Sequence, residues 1–162
     1  MMKEVKITID GQEVMAQEGK TILEIATELD IHIPTLCAMP ELGFTPGSCR
    51  VCVVEVEGLP TLVASCVYPV REGLIIHTHS ERVIKARKIV LELLIASHPL
   101  DCMTCEKNGS CDLEDLAYEL GVKESRFERS KKEIPLDESN PFIVRDLNKC
   151  ILCGRCVEIC NE

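Results

Sequence analysis

Hydrophobic and polar positions alternate strictly at the start of the chain. In residues 3–9, KEVKITI, the side chains of Val5, Ile7 and Ile9 fall at period two, the spacing of a strand with one buried face. Asp10-Gly11 follows, a dipeptide suited to a tight hairpin turn, so 14–16 is the expected return strand. After Gly19 the period changes. Ile22, Ile25, Ala26 and Leu29 recur at i, i+3, i+4 and i+7, one face of a helix that Thr21 can cap. Pro34 and Pro40 interrupt regular structure around Cys37, since proline offers no backbone N–H. Residues 51–57, VCVVEVE, and 60–66, PTLVASC, read as two more strands parted at Gly58, with 74–78 as a last short one. Two strands, a helix and further strands predict an α+β domain over residues 1–79.

Beyond residue 79 the texture is different. Ser80 can cap a long helix over 80–97, with Val83, Ala86, Ile89, Val90, Leu93 and Leu94 as its apolar face. His98-Pro99 ends it, because the residue before a proline is pushed out of the helical region. A cysteine-rich loop comes next, then a helix over 112–120, DLEDLAYEL, closed by Gly121. Residues 80–121 are thus expected to form a second, small helical domain. Pro135, Asn140 and Pro141 mark 122–141 as a linker, and 142–162 holds a final tight cluster of cysteines. Glu24, Glu28, Glu114 and Glu119 fall on the predicted helices as solvated faces.

Composition narrows the function. The 162 residues are 46% hydrophobic, average for a folded domain and unlike a disordered tail. Aromatics are 3%, with no Trp, and the net charge is −9. Neither suits stacking on single-stranded nucleic acid or binding its phosphates, so no nucleic-acid partner is expected. The most apolar stretch, 89–96, is broken by Glu92 and is too short to span a bilayer; direct membrane insertion is not expected either. The outlier is cysteine, 11 residues. The opening MMKEVKITIDGQEV is charged and alternating, without the apolar core of a secretory signal. A reducing, cytoplasmic compartment is therefore expected, where thiols serve metal or redox chemistry rather than disulfides.

The cysteines fall into three sets. Cys37-x11-Cys49-x2-Cys52-x13-Cys66 offers four thiolates, two per iron, for a 2Fe–2S cluster. Gly43 and Gly47 allow the backbone to approach inorganic sulfide with no Cβ in the way. A structural zinc site prefers two short-spaced pairs, and only Cys49/Cys52 is short. His98-x3-Cys102-x2-Cys105-x5-Cys111 can complete the four corners of a 4Fe–4S cube. Its neutral imidazole leaves that centre one charge less negative, which raises its potential. Three cysteines and a histidine also make a zinc set, and spacing alone does not separate the two.

Cys150-x2-Cys153-x2-Cys156-x3-Cys160 is the most specific pattern. It matches the bacterial ferredoxin run, in which three cysteines hold one cube and the fourth ligates another cluster; the proline that usually follows is Asn161 here. Cys150, Cys153 and Cys156 then need a fourth ligand from elsewhere, and Cys160 belongs to a neighbouring cluster. The alternative is that Cys160 completes the same cube. The chain is expected to be cut short relative to a full two-cluster module. His32, His77 and His79 have no metal-like spacing and are expected on the surface or in strands. No G-x-G-x-x-G and no nucleophile–base constellation occurs, so no catalytic site of the chain's own is expected.

A 2Fe–2S set, a histidine-ligated 4Fe–4S set and a ferredoxin-type set, in that order, resemble one known module. It opens the large iron–sulfur subunit of respiratory complex I, the multi-cluster iron-only hydrogenases and the alpha subunits of NAD(P)-linked formate dehydrogenases. The resemblance covers nearly the whole chain. It implies a β-grasp ferredoxin domain ligating through Cys37, Cys49, Cys52 and Cys66. It further implies a small helical domain ligating through His98, Cys102, Cys105 and Cys111, then the start of a bacterial-ferredoxin-like domain. LDCMTCEKNGSCDLEDLAYELGV and NPFIVRDLNKCILCGRC look most like the formate dehydrogenase branch, with the hydrogenases close behind. The complex I subunit usually lacks a cysteine at the position of Cys160. The implied role is an electron relay between a flavin/NAD(P)-binding subunit and a catalytic oxidoreductase subunit. A zinc scaffold and a free ferredoxin-like carrier are the rival readings.

Overall fold

The computed structural model describes residues 3–128 and 133–161. Residues 129–132 of the expected linker, and positions 1, 2 and 162 of the two end domains, lie outside them. The chain divides into two units, Met1–Arg87 with Cys153–Glu162, and Lys88–Leu152.

In the first unit, Asp10 and Gly11 both adopt positive φ, 47° and 83°. Both central residues of a type I′ turn need that conformation. The turn joins β1 (Glu4–Ile9) to β2 (Gln12–Gln17) as an antiparallel hairpin, with Ile9 opposite Gln12 and Glu4 opposite Gln17. Three short strands extend the sheet: β3 (Val53–Val56), β4 (Val63–Ala64) and β5 (Ile75–His77). The order is β2-β1-β5-β3-β4. Among the described residues only β1 and β5 run parallel, in register Thr8 to Ile75; β3 is antiparallel to both β5 and β4. The result is a mixed sheet with helices.

One face of the sheet is apolar because β1 places Val5, Ile7 and Ile9 on it at period two. These are buried together with Ile22, Ile25 and Ala26 of α1 (Ile22–Glu28), Val54, Val56 and Ile76. Each of the Val and Ile side chains contributes roughly 1.5–3 kcal/mol of burial. Thr21 caps α1 as expected. Glu24, expected as a solvated residue, completes a capping box: its carboxylate accepts from the Thr21 N–H at 2.6 Å, satisfying a donor the helix cannot. Residues around Cys37 do not stay irregular throughout, since Pro40–Leu42 form one 3-10 turn with proline at its start.

Ser80 begins α2 (Glu81–Ala96) by accepting from the Val83 N–H at 3.3 Å. The buried positions of this helix differ from the expected stripe. Val83, Arg87, Leu91 and Ile95 are buried, whereas Leu93 is 49% exposed. Arg87 is tolerated there because its guanidinium donates to the Val53 carbonyl at 2.9 Å, which compensates a buried polar group.

The second unit contains the rest of α2, a 3-10 turn at Cys102–Thr104, α3 (Asp112–Leu120) and a 3-10 turn at Leu147–Lys149. Leu113, Leu116 and Leu120 form the buried face of α3. Asp137 of the expected linker and Arg145, just beyond it, exchange backbone hydrogen bonds of 3.0 Å and an ion pair of 2.6 Å. The Asn148 side chain brackets Ile134, donating to its carbonyl at 2.7 Å and accepting from its N–H at 3.0 Å. The last helix, α4 (Arg155–Asn161), belongs to the first unit. Among the described residues no helix is long and apolar enough to cross a membrane.

Candidate iron–sulfur sites

Cys37, Cys49, Cys52 and Cys66 are all buried, none more than 7% exposed. Cys52 and Cys66 sit in turns at the near ends of β3 and β4. Those strands pair Val53 with Ala64, and Ser65 N–H donates to the Cys52 carbonyl at 3.1 Å, so the pairing brings the two cysteines together. Their thiols share a hydrogen bond that lowers Cys52 to about 6 and, with burial, pushes Cys66 up. Cys37 and Cys49 come from the long loop after α1. The Cys49 N–H donates to Cys37 Sγ at 3.5 Å, and burial raises the Cys37 thiol. Cys37 and Cys49 stand close enough to Cys66 that a thiolate at either would raise it further. All four residues of the first set are thus gathered in one buried neighbourhood.

Two features around these sulfurs fit an inorganic cluster. Gly47 has φ +64°, the left-handed conformation that favours glycine, and a Cβ there would touch the Val67 side chain at 3.4 Å. Ser65 is 0% exposed and its Oγ has no oxygen or nitrogen partner among the described residues. It stands close enough to Cys52 to help lower that thiol. A buried hydroxyl without an acceptor is costly, and a thiolate or cluster sulfur would supply one. Ser65 was invisible as a functional residue in sequence, where its only signal is adjacency to Cys66.

The second set lies at the end of α2 and the start of α3. His98, Cys102 and Cys111 line one cavity of about 430 Å³, whose remaining wall is largely apolar, with Ile95 and Leu113. His98 Nδ1 is 2.7 Å from the Pro99 carbonyl oxygen. Cys111 is the residue before α3, in extended conformation. Burial raises the Cys102 thiol, and the nearby Glu114 carboxylate adds to that rise. Cys105 is not on the cavity wall. Its sulfur instead accepts from Lys149 Nζ at 3.8 Å, and Lys149 is paired with Asp101 at 3.2 Å. The Asp101 carboxylate pushes the Lys149 ammonium above the usual lysine value. Lys149 and Asp101 were also missed in sequence.

The third set divides between the units. Cys150 closes the Leu147–Lys149 turn in the second unit, its sulfur accepting from the Leu152 N–H at 3.4 Å. Cys153, Cys156 and Cys160 belong to the first unit. Cys156 and Cys160 are both on α4 and both exposed. Arg155, at the start of α4, donates to the Ala38 carbonyl at 3.1 Å, beside Cys37 in the chain.

Among the described residues no three His, Cys, Asp or Glu side chains converge as they would on a single metal ion. A polynuclear cluster spreads its ligands over two or four irons. The other histidines have ordinary roles: His32 is exposed, His77 pairs with Glu57 at 2.9 Å and His79 Nδ1 meets Thr78 Oγ1 at 2.6 Å.

Residues 2–81 match the 2Fe-2S iron-sulfur cluster binding domain family, and residues 87–126 match the NADH-ubiquinone oxidoreductase-G iron-sulfur binding region. The NADP-reducing hydrogenase subunit HndD of Solidesulfovibrio fructosivorans is 44% identical over 99% of this chain and 28% of its own length. An NADH-quinone oxidoreductase subunit of Rickettsia bellii is 40% identical over 98% of this chain and 23% of its own. The chain therefore spans about a quarter of the length of these curated relatives. A crystal structure of an NAD+-reducing [NiFe]-hydrogenase in the H2-reduced state superposes with a TM-score of 0.87 at 40% identity, covering 95% of this chain and 64% of that one. Residues 2–81 and 87–126 thus resemble a 2Fe–2S domain followed by a 4Fe–4S binding region, and hydrogenase and NADH–quinone oxidoreductase subunits match the chain over nearly its whole length.

Proposed function

We propose that this chain is an electron relay, passing single electrons between a flavin/NAD(P)-binding subunit and a catalytic metal centre of the hydrogenase type. The single observation that carries this reading is the buried thiol cluster of Cys37, Cys49, Cys52 and Cys66. It occurs in a chain matched over 99% of its length by an NADP-reducing hydrogenase subunit. The sheet order β2-β1-β5-β3-β4, with its one parallel pair, supports a β-grasp ferredoxin domain over 1–79. A histidine-ligated 4Fe–4S domain over 80–121, a linker over 122–141 and a partial ferredoxin motif over 142–162 complete the proposed organisation.

Iron–sulfur clusters supply reversible one-electron chemistry. The chain's own residues bind, orient and shield them. Cys37, Cys49, Cys52 and Cys66 would hold the 2Fe–2S cluster, with Ser65 as a hydrogen-bond donor to it. His98, Cys102, Cys105 and Cys111 would hold a 4Fe–4S cluster, with Ile95 and Leu113 excluding water. Cys150, Cys153 and Cys156 would hold three corners of another, and Cys160 would serve a neighbouring cluster.

The complex I reading has its own support in the 40% identity to the Rickettsia bellii NADH-quinone oxidoreductase chain. The formate dehydrogenase-like assignment rests on motif resemblance alone. A cytoplasmic location fits each of them, with any membrane association through partners.

Anaerobic purification of the native assembly tests the proposal. Expected are near-equal iron and acid-labile sulfide, about six irons per chain from the first two sets and up to about four more from the third. Co-purifying subunits should bind flavin and NAD(P). Zinc as the dominant metal would overturn the relay reading. Partners that reduce quinone rather than evolve or consume hydrogen would move it to complex I.

A further inference from the structure

We infer that the Lys149 ammonium, held by Asp101 against Cys105, raises the reduction potential of the cluster proposed at His98, Cys102, Cys105 and Cys111. This rests on the ligand reading above. The ammonium lies 3.8 Å from Cys105 Sγ and 3.2 Å from Asp101 Oδ2. Lys149 reaches Cys105 across 44 residues of chain, so the contact comes from the fold and not from local sequence. Two neighbouring features fix where the lysine stands. The Leu147–Lys149 turn is capped by Asp146, which accepts from the Asn148 N–H at 2.9 Å. The Asn148 side chain is bonded twice to Ile134.

The electrostatic consequence has a definite sign. Reducing the cluster by one electron adds one negative charge to it and changes no covalent bond. A cation at hydrogen-bond range of a ligand sulfur stabilises the reduced form more than the oxidised form, so reduction becomes easier. The Lys149 side chain is only 35% exposed, so water screens the interaction incompletely. Asp101 offsets part of the charge, yet it is the ammonium that bonds to the sulfur. Charge-assisted hydrogen bonds of this kind are stronger than neutral ones. His98 acts in the same direction by replacing a thiolate with a neutral ligand. Lys149 is also the residue before Cys150, so one lysine stands between ligands of two proposed clusters. It is a positioning and tuning residue and ligates nothing itself.

The test uses the full chain, purified anaerobically with its clusters, and a redox titration followed by electron paramagnetic resonance. Lys149→Gln should lower the midpoint potential of the His98-dependent cluster and leave that of the 2Fe–2S cluster, an internal reference, unchanged. Lys149→Arg, which keeps the charge, should restore most of the native value. An unchanged potential in a fully loaded Lys149→Gln protein overturns the inference. Should that variant lose its cluster, native protein labelled with 15N at the lysine ε position decides. Pulsed resonance on the reduced His98-dependent cluster should then show an added 15N coupling, and its absence overturns the inference. Failure of the underlying ligand reading looks different: no 4Fe–4S signal in the native chain would depend on His98.

Discussion

His98 Nδ1 lies 2.7 Å from the carbonyl oxygen of Pro99, the next residue in the chain. A carbonyl can only accept, so Nδ1 is the donor, and in the neutral ring the lone pair is then on Nε2. The peptide that ends α2 thus selects the tautomer in which Nε2 is ready to bind a metal, a role that second-sphere acceptors commonly play for ligating histidines. Replacing His98 with Ala should strip one ligand and lose the 4Fe–4S signal of this set. His98→Cys should keep a cube but add a thiolate, lowering its potential. Resonance spectra and iron content of both variants check this. Unchanged signals in His98→Ala would remove histidine from the ligand set.

Ser65 gives a prediction about the potential of the first cluster. Its hydroxyl is buried, has no oxygen or nitrogen partner among the described residues and stands close enough to Cys52 to help lower that thiol. In the loaded protein Ser65→Ala would remove a donor to a cluster sulfur and should lower the 2Fe–2S potential. A redox titration measures it, and an unmoved potential would give Ser65 a purely structural role.

Arg87 should prove a structural residue despite its charge. Its guanidinium is buried and donates to the Val53 carbonyl at the start of β3, one residue after Cys52. Arg87→Ala leaves that carbonyl without this donor and opens a cavity. A loss of at least about 1–3 kcal/mol is expected from the orphaned acceptor. Denaturant unfolding measures it, and Arg87→Lys should recover only part, since lysine lacks the guanidinium fork.

Local periodicity made much of the first unit readable. The alternation Val5, Ile7, Ile9 and the Asp10-Gly11 turn appear in the structure as β1 and its hairpin, because both depend only on neighbours in the chain. The sheet order was not readable. Pairing Thr8 with Ile75 is decided by which apolar faces meet, across most of the first unit. The α2 stripe misled for a related reason. Hydrophobicity alone selects Leu93 and passes over Arg87, while the fold buries the arginine because Val53 offers it an acceptor. The candidate ligand sets are legible only as spacings. Their supporting residues, Ser65 and Lys149, were not, since a serine or lysine next to a cysteine carries no spacing signal of its own.

The last cysteine is where spacing and structure meet most directly. Cys156 and Cys160 are four residues apart on α4, so they share a helix face, with Cβ atoms about 5–6 Å apart. Proximity by itself would allow both sulfurs to serve one cube. The ferredoxin run assigns them differently: the first three cysteines hold one cluster and the fourth another. Cys160→Ser separates the two assignments. In the assembled complex it should spare the cluster at Cys150, Cys153 and Cys156 and damage a neighbouring one, whereas Cys153→Ser should do the reverse. Iron content and the resonance signals of each cluster, compared between the two variants, measure the outcome. Loss of the Cys150 cluster alone in Cys160→Ser would make Cys160 its fourth ligand, held one helical turn from Cys156.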